Sequence, residues 1–181
     1  MEKKLIKISR FLCFILRHKP EAINLTLDHQ GWAGVDRLIN LASQKGTNID
    51  FPMLEKIVAN DDKRRFSFNQ DKSKIRANQG HSIKVDLSLK AQTPPEYLLH
   101  GTAERFMKSI TQQGLLKKSR QHVHLSEDES TAINVGKRYG EPVLLRIKAR
   151  KMQEAGYSFF LSDNRVWLTE FVPKDFIDFP N

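Results

Sequence analysis

Arg17-His18-Lys19-Pro20 directly follows the apolar run Phe11-Leu12-Cys13-Phe14-Ile15-Leu16. Successive helical residues point about 100° apart. Arg17 and His18 therefore cannot both be ordinary solvated decoration beside a buried stripe. Arginine presents a fixed fork of donors, and histidine adds a donor that can carry a proton. Together at the rim of a core they form an oxyanion site, and the anion expected there is a phosphate.

Further candidates follow along the chain. Arg65-Phe66-Ser67-Phe68 alternates, which sets Arg65 and Ser67 opposite two aromatics. Arg64 stands immediately before Arg65. His100-Gly101-Thr102 closes an apolar strand: glycine admits a ligand to the backbone, while His and Thr offer directional hydrogen bonds. A plain strand-end turn is the other reading. His122, His124 and Ser126 project from one strand face, with Val123 and Leu125 turned inward. That face fits a solvated edge or a binding surface, and no third ligand is evident for a zinc site. Arg120 lies just before that strand, after Lys117-Lys118-Ser119. Arg138 and Arg150 read as solvated charges.

These residues need elements to hold them. Leu5, Ile6, Ile8, Phe11, Leu12, Ile15 and Leu16 give residues 4–17 a helical spacing, limited by Pro20. Gly31-Trp32 reads as a turn with an aromatic anchor. A second helix is predicted over Val35–Ala42, and Pro52 opens a third. A hairpin follows, with strands at 65–68 and 75–77 and a turn between them. Three helices and a two-stranded wing form the pattern of a winged helix-turn-helix. Gln79-Gly80-His81-Ser82 reads as a polar loop, and Val85 and Leu87 suggest another strand. Ala91-Gln92-Thr93-Pro94-Pro95 marks a boundary between lobes, giving domains of 1–90 and 91–181. Beyond it, short strands (97–102, 122–126, 142–147, 159–162, 166–169) alternate with helices near 103–113 and 128–138. The fold class is α+β.

The 181 residues suffice for one large domain or two small lobes. Lys and Arg number 30 against 21 acidic residues, a net charge of +9, which favours a polyanionic partner such as nucleic acid. Cys13 is the single cysteine, so no internal disulfide forms, and a reduced, cytoplasmic protein is expected. No run approaches the roughly 20 apolar residues of a membrane span. GxGxxG after a strand and GxxxxGK[ST] are both missing, which removes Rossmann and P-loop sites. Candidate catalytic groups are overwhelmingly cationic. Such a set suits clamping a phosphate whose own oxygen is the nucleophile.

Taken together, the chain resembles the RNA 2′-phosphotransferase (KptA-type) family. The motifs that carry the likeness are Leu16-Arg17-His18-Lys19-Pro20, Gly31-Trp32, Arg65-Phe66, His100-Gly101-Thr102, Arg120-Gln121-His122-Val123-His124-Leu125-Ser126, and Thr131-Ala132 leading into Val135-Gly136. The resemblance implies a winged-helix RNA lobe and a C-terminal lobe of the ADP-ribosyltransferase fold. It implies NAD as co-substrate: an internal RNA 2′-phosphate displaces nicotinamide, and transesterification by the ribose 2″-hydroxyl follows. Products would be 2′-OH RNA and ADP-ribose 1″,2″-cyclic phosphate. The family's catalytic Arg-His-Arg-Arg group maps onto Arg17, His18, Arg65 and Arg120, with Arg64 an adjacent competitor for the third position. His100, Gly101, Thr102, His124 and Ser126 are implied NAD contacts. His124 stands where many relatives of that fold carry tyrosine, and Val166 where protein-modifying relatives carry an acceptor-activating glutamate. A monomer acting on tRNA-like RNA is expected, and no metal requirement is implied.

Two other functions are compatible with these residues. One is ADP-ribosyl capping of terminal DNA or RNA phosphates. The other is a non-catalytic winged-helix nucleic-acid-binding protein, which would leave His100, His124 and Arg120 without a purpose.

Overall fold

The computed structural model describes residues 2–180. The chain divides into two compact units, the first ending at Ser88 and the second starting at Leu89.

The first unit opens with α1 (Glu2–Arg17). Ile8, Leu12, Ile15 and Leu16 recur at helical spacing and are all buried, whereas Ile6 and Phe14 face solvent. A 3-10 turn at Pro20–Ile23 follows. Next come β1 (Ala33–Gly34), α2 (Val35–Gln44) and α3 (Phe51–Ala59). Asp50 caps α3 by accepting a hydrogen bond from the Met53 backbone N–H at 2.8 Å. β2 (Phe66–Phe68) and β3 (Lys74–Ala77) form the expected hairpin, and β1 adds to its other edge in the order β1-β3-β2. Phe66, Ile75 and Ala77 join the helices in one apolar core. Val85 and Leu87 fall in irregular chain rather than a strand. Asp86 ties to the His29 carbonyl, and Ser88 takes a left-handed φ of 52° that breaks any ladder.

The second unit contains β4 (Leu98–Ala103), α4 (Met107–Gln113), β5 (Leu115–Leu116), β6 (Val123–Leu125), α5 (Glu129–Gly136), β7 (Pro142–Ile147), α6 (Ala149–Glu154), β8 (Phe159–Leu161), β9 (Trp167–Thr169), β10 (Phe171–Val172) and β11 (Ile177–Asp178). The strands form small antiparallel sheets ordered β11-β7-β4, β6-β9-β8 and β10-β5. Leu99 and Ser126 exchange backbone hydrogen bonds at 2.8 Å, joining the end of β6 to β4. Arg150, expected to be a solvated charge, instead donates from Nε and Nη2 to the Pro94 carbonyl at 3.1 and 2.9 Å.

Helix α5 lies unusually close to β4. A Cβ on Gly101 would sit 1.6 Å from the Ala132 carbonyl oxygen, and one on Gly136 would sit 2.3 Å from the Thr102 carbonyl oxygen. The side of Gly101 where a Cβ would stand is thus filled by helix α5. This explains why small residues recur at Ala132 and Gly136. Gly101→Ala is expected to lower stability by about 3 kcal/mol, the upper end of the overpacking range, read from urea unfolding. Gly34→Ala, whose nearest neighbour would be the Arg37 Cβ at 3.9 Å, should cost under about 1 kcal/mol.

Candidate functional site

The cationic end of α1 is built by the polar loop after β3. The helix stops at Arg17, and the next two amides, of His18 and Lys19, both bond back to the Phe14 carbonyl. A cation here is favoured by the helix dipole. The loop then packs onto this end. Gly80 has a φ of +87°, and its missing Cβ would meet the Arg17 guanidinium at 3.5 Å, so Arg17 lies against the Gly80 backbone. The Ser82 N–H donates to the Arg17 carbonyl at 2.9 Å, and Ser82 Oγ is hydrogen-bonded to His18 Nδ1 at 2.9 Å.

Between these contacts sits His81, only 2% exposed, with no hydrogen-bond partner at Nε2. Burial, and then the positive fields of Arg17, His18 and Arg76, push its pKa down to about 4, so the ring is neutral at pH 7. Arg76 projects from β3 over the Trp32 ring, 4.5 Å from its centroid.

Arg65 is positioned by an acid that sequence reading did not identify. Asp61, four residues earlier, accepts from both the Arg65 guanidinium and the Arg65 backbone N–H. Arg64 is exposed and strained at a φ of 41°, and its carbonyl accepts from Asn78 Nδ2 at 2.6 Å. Of the two arginines, Arg65 is the one whose guanidinium is oriented by a carboxylate. Arg17 and Arg65 both act on the half-buried Cys13 thiol: burial raises its pKa, and the two guanidiniums oppose that rise. The first unit therefore gathers Arg17, His18, Arg65, Arg76 and His81 in one electrostatic neighbourhood.

The second unit holds a separate hydrogen-bonded set. Arg120 Nη1 donates to His124 Nδ1 at 2.8 Å, which leaves the proton of a neutral His124 ring on Nε2. His100 Nδ1 donates to the His124 carbonyl at 3.0 Å. Burial lowers the His100 pKa, with a further push from Arg120 against the carbonyl bond, so this ring too is neutral. Thr102 is buried. The Ser126 hydroxyl donates to the Asp128 carbonyl and accepts from the Asp128 N–H, both at 3.0 Å, so it shapes the entry to α5. His122 lies beside the Phe160 ring at 5.9 Å, and burial lowers its pKa. Val166 occupies a tight turn whose N–H donates to Ser162 Oγ at 3.0 Å.

Each unit thus presents arginine donors beside imidazoles, with one ring in each, His81 and His100, kept neutral by burial, the equipment of a protein that handles phosphate esters. The chain belongs to the RNA 2′-phosphotransferase, Tpt1 / KptA family, whose description matches residues 3–171. Among its relatives, a probable RNA 2′-phosphotransferase of Flavobacterium johnsoniae is 52% identical over 172 residues, covering 95% of this chain and 94% of the relative. Another of the same name from Fusobacterium nucleatum is 53% identical over 175 residues, covering 96% and 98%. One from Escherichia coli is 48% identical over 180 residues, covering 99% and 93%.

His81 has a measurable consequence. Its folded pKa lies below that of an unfolded histidine, so the unfolded chain takes up the proton first as pH falls. The stability this ring contributes is complete above about pH 6.5. It is lost as pH falls towards 4, by up to about 3 kcal/mol. Urea unfolding across this window should show a steeper loss for the native protein than for His81→Gln. Equal slopes would show that His81 is not the group responsible.

Proposed function

We propose that this protein removes an internal 2′-monophosphate from RNA with NAD⁺ as co-substrate, giving 2′-OH RNA, ADP-ribose 1″,2″-cyclic phosphate and nicotinamide. The observation that carries this reading is the buttressed Arg17–His18 pair, with Arg65 held by Asp61 in the same unit. The relatives' names supply the substrate class.

The first unit acts in this reading as a winged-helix RNA lobe. Its three helices and three-stranded sheet support that role. Arg17 and Arg65 hold the 2′-phosphate dianion and aim it, a proximity contribution of several kcal/mol in well-oriented systems (~7 or more). The same guanidiniums stabilise charge that develops on the phosphorus oxygens during transesterification. His18 carries the proton for the departing RNA 2′-oxygen or from the attacking hydroxyl.

The second unit acts as the ADP-ribosyltransferase-like lobe. Its donor chemistry fits a dinucleotide: the Arg120 guanidinium suits an anionic oxygen, and the His100 and His124 rings suit ribose or amide groups. His100, Thr102 and His124 are the residues assigned to hold NAD⁺, and Arg120 is assigned to assist the transesterification. Gly101 and Ser126 serve the backbone around them. NAD⁺, when bound, supplies the ADP-ribosyl group and nicotinamide as leaving group. At the position of the acceptor-activating glutamate stands Val166, which agrees with a phosphate that needs no added base.

The test is to mix the protein with NAD⁺ and a short RNA bearing one internal 2′-phosphate, and to resolve both products by mass. The expected products are dephosphorylated RNA and a cyclic phosphate of ADP-ribose. A stable ADP-ribosyl adduct on a terminal phosphate would replace this reading with capping, and intact RNA with folded protein would leave a binding module. Arg17→Ala and Arg65→Ala should each reduce the rate about 100-fold or more.

A further inference from the structure

The polar loop after β3 takes no part in the chemistry above, yet it touches both leading residues of the first unit. We propose that Ser82 is a positioning residue for His18, with its hydroxyl locking the imidazole in one orientation so that proton exchange runs through Nε2. This rests on the 2′-phosphotransferase reading for its catalytic consequence, though not for its geometry.

Three contacts carry the inference. Ser82 Oγ lies 2.9 Å from His18 Nδ1. The Ser82 N–H is itself fixed to the Arg17 carbonyl at 2.9 Å, so the hydroxyl is registered to the end of α1. Gly80, two residues earlier, lies against the Arg17 guanidinium, and His81 between them is buried and anchors the loop. One short segment thus sets the position of both Arg17 and His18.

The choice of a hydroxyl follows from the surroundings. Histidines that work in proton transfer are commonly oriented through Nδ1 by a carboxylate. A carboxylate at this place would pair with Arg17 and cancel the charge meant for the phosphate. A serine hydroxyl is neutral. It can donate to the Nδ1 lone pair of a neutral ring, and it can rotate to accept from Nδ1–H once the ring is charged. It therefore holds the imidazole in both protonation states without neutralising the site.

The Ser82 side chain is exposed, so Ser82→Ala removes the hydroxyl with little effect on packing. Two readouts are needed. The first uses the full-length protein without substrates: NMR three-bond couplings about the His18 Cα–Cβ bond. These should report one rotamer in the native protein and averaging in Ser82→Ala. The second uses steady-state kinetics on 2′-phosphorylated RNA with NAD⁺. Ser82→Ala should lower kcat about tenfold with KM within twofold, and Ser82→Thr should recover kcat to within about twofold of the native value. Couplings that remain those of a single rotamer in Ser82→Ala overturn the proposal. So does a released ring with unchanged kcat. If the native protein does not act on this RNA, the functional reading fails by itself, and the couplings still decide whether Ser82 holds the ring.

Discussion

Mutual repulsion among cations is the constraint that organises the first unit. Two unit charges about 6 Å apart near a protein surface repel by roughly 3 kcal/mol, and Arg17, Arg65 and Arg76 share this neighbourhood with two histidines. One acid, Asp61, pairs with Arg65 and offsets part of this charge. The unit meets the rest of the repulsion by other means. His81 is kept uncharged by burial, Arg76 lies over the Trp32 ring, and Arg17 lies against a glycine backbone. Arg65 is held by Asp61 through its guanidinium and its backbone N–H, which fixes its direction while the helices carry the stability in their apolar core.

Close backbone packing does the corresponding work in the second unit. The approach of α5 to β4, possible only with glycine at 101 and 136, fixes the strand that bears His100 and Thr102. The Leu99–Ser126 exchange then ties β6 and its flanking turn to that strand. Arg120 and His124 reach their hydrogen bond from this framework, and the His124 carbonyl accepts one from His100. Polar function in this unit is therefore set by backbone registry more than by side-chain packing.

Much of this was legible in the residues. The α1 stripe, the α2 and α3 helices and the hairpin were readable because apolar spacing reports which face is buried, and because the hairpin alternates strictly. Arg17, His18 and Arg65 stood out because cations beside a core need a reason. Asp61 and Ser82 did not stand out, since each lies in irregular chain where no period exists and acts through a contact fixed only by the fold. The two-residue strands β5, β10 and β11 and the short helix α6 are too brief to carry a periodic signal. Gly101 was visible as a place of close approach, but the helix that makes the approach on its Cβ side was not, because nothing in one sequence says which element packs there.

Following the phosphorus atom tests the central claim most directly. An RNA carrying ³²P only in its internal 2′-phosphate would be incubated with the native protein and NAD⁺, and the label traced. Transfer of the label to ADP-ribose as a cyclic phosphate is the predicted result. Label released as inorganic phosphate would mean hydrolysis by water, and label retained on the RNA would mean binding or capping. Either outcome contradicts a phosphate that acts as its own nucleophile under a clamp of arginines.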